Sequence, residues 1–131
     1  MLLFLLTACA AVDSDTKRTE TERAEQWGIE ITSLHMSAGG HMVDLRYRVL
    51  DAEKAEPLFA PDNKPYLIDE ASQKVLSVPQ TAKVGPLRTS GDVKENRIYW
   101  MFFGNIPGLV KSGSRVTVVI GDFRAEHLIV Q

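Results

Sequence analysis

Two His-Met pairs, His35-Met36 and His41-Met42, flank Ser37-Ala38-Gly39-Gly40 in a chain with three histidines and four methionines. Imidazole and thioether are ligands suited to copper, so this stretch is the candidate for metal chemistry. It also has the composition of a turn, because adjacent glycines take positive φ without steric cost. A four-residue loop sets Met36 opposite His41 on one face of a hairpin, and His35 with Met42 on the other. A three-residue loop moves His35 to the side of His41. Either geometry supplies about two convergent ligands, short of a complete copper site. A third donor would have to be His127 or Met101, both far away in sequence. The simpler reading is a glycine hairpin with Met36 buried and the histidines facing solvent. The expectation is therefore no cofactor, with copper at His35, Met36, His41 and Met42 as the alternative.

Other chemistry is sparse. The chain has no GxSxG elbow, Walker loop, HExxH or GxGxxG. Ser14 and Lys17 match SxxK, but they lie in a charged stretch with nothing to hold them. Asp69-Glu70 and Glu126-His127 are neighbours whose side chains leave opposite faces of a strand. Such pairs cooperate as acid and base only across a bulge. The expectation is a protein that is not an enzyme. With 15 basic against 17 acidic side chains and a net charge of −2, the chain lacks the basic excess of a nucleic-acid binder.

The N-terminus carries a different kind of signal. Residues 1–8 are uncharged and mostly apolar, far short of the roughly 20 residues of a membrane-spanning helix. They fit the end of a secretory hydrophobic region. Leu6-Thr7-Ala8-Cys9 follows, ending on the single cysteine. This resembles the lipobox of bacterial lipoproteins. The resemblance implies cleavage of residues 1–8, a diacylglycerol on Cys9 and attachment to a membrane on the periplasmic side. Ala10 follows the modified position, which by resemblance to enteric lipoproteins favours the outer membrane. Residues 10–26 are charged and threonine-rich, with Val12 as their only large apolar side chain. They read as a flexible tether over 9–26.

From Trp27 onward the dominant period is two, and residues 27–131 read as one domain. WGIEI alternates, and HMVDLRYRVL puts His41, Val43, Leu45, Tyr47 and Val49 on one face. The inward parity slips between Ile31 and Leu34, which predicts a β-bulge near Thr32-Ser33. YLIDEASQKVLSV reads as a hairpin turning at 71–73, RVTVVI (115–120) as a β-branched strand, and 126–130 as a last strand. About seven strands at this spacing predict an all-β, immunoglobulin-like antiparallel β-sandwich. The long connections 51–65 and 80–96 read as crossings between sheets, with Leu58, Phe59, Val84 and Leu87 tucked over a sheet edge. The layout resembles small lipid-anchored β-sandwich domains of Gram-negative lipoproteins, a group without one shared activity.

Arg97 to Phe103 (RIYWMFF) is apolar on both faces. Assigning the bulky Trp100 to the core, with Ile98 and Phe102, turns Tyr99, Met101 and Phe103 outward. Those three then form an apolar patch of the kind that docks a protein partner, or a face that the long connections cover through Leu58, Phe59 or Val84. The functional expectation is a lipid-anchored binding or accessory module acting through a protein partner at the envelope.

Overall fold

The period-two segments fold as strands of two antiparallel sheets. The structure, a computed structural model, describes residues 8–81, 85–88, 92–106 and 108–131. Met1–Thr7, with Leu6 and Thr7 of the lipobox, and Val84 lie outside the described residues. In chain order come α1 (Ala8–Trp27), β1 (Ile29–Ser37), a 3-10 turn at Ala38–Gly40 and β2 (Met42–Val49). Next are α2 (Ala52–Ala55), a 3-10 turn over Glu56–Phe59, β3 (Tyr66–Asp69), β4 (Val75–Ser77), β5 (Gln80–Thr81) and β6 (Gly85–Pro86). β7 (Ile98–Gly104), β8 (Arg115–Ile120) and β9 (Phe123–Ile129) complete the fold.

One sheet has the order β1-β2-β7 and the other β4-β3-β8-β9, with β5 and β6 as a small separate ladder. The result is an all-β sandwich. Its interior joins Val43, Leu45 and Tyr47 of β2 to Leu67, Val116, Val118, Ile120, Phe123 and Ala125 of the facing sheet. The predicted bulge is present: the β1–β2 register shifts between Ile31 and Ser33. That shift returns Leu34 and Met36 to the inner side. The sheets are tied at one seam by the chain end. Met36 N–H donates to Gln131 O (3.2 Å), and Gln131 N–H donates to Leu34 O (2.9 Å).

Both long connections cross between sheets, from β2 to β3 and from β4 to β7. The first carries Leu58 into the core and stacks Phe59 edge-on against Tyr99, with ring centroids 4.9 Å apart. The β3–β4 hairpin is set by Asp69, whose buried carboxylate accepts hydrogen bonds from the Ser72 hydroxyl (2.6 Å) and N–H (3.3 Å).

Two expectations are corrected. The stretch read as a tether is helical: α1 runs through residues 9–26 to Trp27. Ala, Glu, Lys, Arg and Gln are good helix formers, and Arg18 pairs with Glu22 one turn on (3.8 Å). Its last turn is held by packing. Trp27 meets Phe123 edge-to-face at 5.8 Å, and Lys54 Nζ donates to Glu25 O at 2.7 Å. Gly28 ends the helix at φ +64°, where a Cβ would lie 2.7 Å from Asp51 O.

The second correction inverts β7. Tyr99, Met101 and Phe103 are buried (2%, 0% and 0% exposed), whereas Ile98 is 46% exposed. Trp100 and Phe102 are half-buried. Pairing with β2 decides the matter. Tyr47 lies opposite Tyr99, Leu45 opposite Met101 and Val43 opposite Phe103, and cross-strand partners share a face. Bulk made Trp100 look like the core residue, but parity with β2 overrides bulk. The Tyr99 hydroxyl also has backbone partners: it accepts from Lys94 N–H (2.7 Å) and donates to Asp92 O (3.1 Å).

Candidate functional site

The outer face of the three-stranded sheet follows from the same register. Asp44 is paired with Phe102, Arg46 with Trp100 and Arg48 with Ile98, while β1 sets His35 opposite Asp44. Trp100 and Phe102 lie 5.3 Å apart between centroids. Leu50, just beyond β2, is exposed on the same face as Arg48. Two arginines thus stand among apolar and aromatic side chains.

Beneath them is Asp44, whose side chain is only 4% exposed although its strand face points to solvent. Its Oδ2 accepts from Arg46 Nε and Nη2, both at 3.3 Å, and lies 3.8 Å from His35 Nε2. Asp44 Oδ1 and His35 Nδ1 are buried with no hydrogen-bond partner. A buried carboxylate oxygen left unbonded costs on the order of 1–3 kcal/mol. His35 and Arg46, which cover it, are each about half exposed (45% and 47%).

The His-Met hairpin does not gather its four donors. The loop holds four residues but closes one residue later than expected, with Ser37 opposite Met42 and Met36 opposite Val43. Met36 packs against the core, His41 sits exposed in the turn, and His35 and Met42 lie on the outer face. Met101 is fully buried, and His127 is on the other sheet. Among the described residues no group of three or more His, Cys, Asp or Glu side chains is placed to hold a metal. Cys9 enters the structure in the first turn of α1.

A second polar cluster joins residues that the sequence left apart. Val116 faces Leu128 and Val118 faces Ala125, so Thr117 opposes both Glu126 and His127 across a β-bulge. His127 takes φ +59° there. The bulge turns His127 toward Glu70, whose Oε1 accepts from the His127 ring Nδ1 (3.0 Å), the His127 N–H (2.9 Å) and the Thr117 hydroxyl (2.9 Å). Burial pushes the Glu70 carboxyl up, but these hydrogen bonds outweigh it and hold it below the usual carboxylate value. The cluster supplies an oriented imidazole whose ring, among the described residues, pairs with the carboxylates of Glu70 and Glu126. The adjacent Glu126-His127 pair was legible, but its distant partner Glu70 was not. No family model matches this chain, and comparison with curated proteins and with solved structures finds no similar one.

Proposed function

We propose that the protein is a lipid-anchored, non-enzymatic binding module on the periplasmic side of the cell envelope, with the outer membrane preferred. It acts through a protein partner that docks on the outer face of β1-β2-β7. The anchor rests on the lipobox resemblance at Leu6-Thr7-Ala8-Cys9. The observation that carries the docking surface is buried Asp44, with one unbonded oxygen under the half-exposed side chains of His35 and Arg46. Around it, Ile98 and Leu50 offer exposed apolar contact, and Arg46 and Arg48 offer charge. The complementary surface is a protein face with carboxylates set among apolar side chains and a hydrogen-bond donor to reach Asp44.

Two experiments test the two halves separately. Cys9→Ser should leave the membrane fraction, and membrane attachment equal to the wild type would remove the anchor. A photo-crosslinking residue at position 98 should give a discrete protein adduct that Arg48→Glu weakens. The same residue at the exposed Val75, on the other sheet, should not give that adduct. Identical adducts from both positions would refute the docking surface.

A further inference from the structure

The segment between β6 and β7 contributes a second basic group that the docking surface does not use. Arg88 bridges to Met101 at the edge of β7, and its side chain reaches back to the first crossing. Nη1 donates to Leu58 O (3.5 Å) and Asn63 O (3.2 Å), and Nη2 donates to Ala60 O (3.1 Å). These acceptors are all neutral, and none of the ion pairs among the described residues involves Arg88. A guanidinium has five N–H groups. Three are engaged by those carbonyls, and among the described residues Nε–H and one Nη–H meet no acceptor. Two such donors grip a carboxylate in parallel. The group is half-buried, and desolvation pulls its pKa down from the ordinary arginine value. An anion alongside would relieve that cost.

A pocket of about 250 Å³ opens beside it, walled by Pro61, Pro65, Pro86 and Val78, with Lys64 and Arg88 as its charged lining among the described residues. Both are cations. A wider cleft of about 650 Å³ is lined by Glu53, Glu56 and Asp92, so among the described residues its charged lining is acidic and repels anions. Size favours the acidic cleft, but charge and wall chemistry favour the smaller pocket for an anionic ligand. Proline walls add pre-organisation, since their φ is already fixed and little freedom is lost on binding.

We propose that this pocket binds a small apolar carboxylate, gripped by Arg88, drawn in by Lys64 and packed between the prolines. The volume suits a single branched aliphatic group with its carboxylate. That chemistry is offered equally by a free aliphatic acid and by the C-terminal residue of a peptide. The site is separate from the outer face of β1-β2-β7 and does not depend on the anchor or on that partner.

The test follows amide resonances of the full chain during titration with isovalerate, isovaleramide, N-acetyl-alanyl-valine and its C-terminal amide. Either acid should shift Ser77 and Gln80 saturably, and each amide should bind at least about tenfold more weakly. Saturation by isovalerate assigns the pocket to free acids, and saturation by the peptide acid alone assigns it to chain termini. Lys64→Glu should weaken the acid about tenfold, and added salt should weaken it further. Arg88→Gln should abolish binding. If losing its three carbonyl contacts unfolds the domain, the exposed Lys64→Glu decides the matter alone. Equal binding of acid and amide, no saturable shift with either acid, or an unchanged affinity in Lys64→Glu would overturn the proposal.

Discussion

Replacing Tyr99 and its neighbour Trp100 separately tests the inverted face of β7. Tyr99 is 2% exposed, and its ring touches those of Tyr47 (6.2 Å) and Phe59 (4.9 Å). Truncating a buried aromatic to alanine costs about 3–5 kcal/mol. Loss of the two hydroxyl hydrogen bonds adds about 1 kcal/mol, because both backbone partners lie partly in solvent. Tyr99→Ala should therefore lose about 4–6 kcal/mol, much of a small domain's stability of about 5–15 kcal/mol. Tyr99→Phe keeps the packing and should lose about 1–2 kcal/mol. Trp100 is larger but half-buried on the opposite face, and Trp100→Ala should cost about 1–2 kcal/mol. The assay is urea denaturation followed by far-UV circular dichroism, since removing Trp100 also removes a fluorophore. With m of about 1–3 kcal/mol/M, the two alanine variants should differ in midpoint by at least about 0.7 M. A Trp100→Ala midpoint at or below that of Tyr99→Ala would refute the register argument.

Further expectations follow from single contacts. Gly28→Ala places a Cβ 2.7 Å from Asp51 O at φ +64° and should destabilise by about 1–3 kcal/mol, seen as a lowered melting temperature with fraying of α1. The folded-state pKa of Glu70 lies below its unfolded value, so its contribution is complete above the unfolded pKa and lost as pH falls through the folded one. Glu70→Gln should thus be less stable than the wild type at neutral pH, and the gap should close on acidification; a pH-independent gap would contradict this. Asn105 is buried and donates to Gly40 O and Val110 O (both 2.9 Å) while accepting from Val110 N–H (3.2 Å). Asn105→Ala should cost about 2–4 kcal/mol, measured by thermal denaturation.

Much of the sandwich was legible because its signals are local. HMVDLRYRVL alternates cleanly, so β2 and its inward set Val43, Leu45, Tyr47 and Val49 followed from period alone. The slip between Ile31 and Leu34 located a bulge, and the break in alternation at 71–73 located the β3–β4 turn. β7 was ambiguous because both of its faces are apolar. Only its pairing with a strand some fifty residues earlier, Tyr47 against Tyr99, fixes its orientation. The same holds for the sites. Glu70 and His127 meet through a bulge on β9, and Asp44 is buried by neighbours on three strands. The Arg88 pocket exists only because two crossings meet. None of these contacts leaves a local periodic mark. The helix α1 left no periodic mark for the opposite reason: it carries no apolar stripe, and Trp27 and the cap at Gly28 hold its last turn.

The late arrival of β7 has a kinetic consequence. Its seven residues, IYWMFFG, pair on one side with β2, whose nearest residue precedes them by about fifty positions. That long loop must close before the strand gains its ladder, and closure of distant contacts slows folding. Until then a strongly β-forming, uncharged segment is bare, with Arg97 as the charge that interrupts self-association at its start. Substitutions that delay docking of β7 on β2 should therefore reduce soluble yield more than they lower the melting temperature of the molecules that do fold.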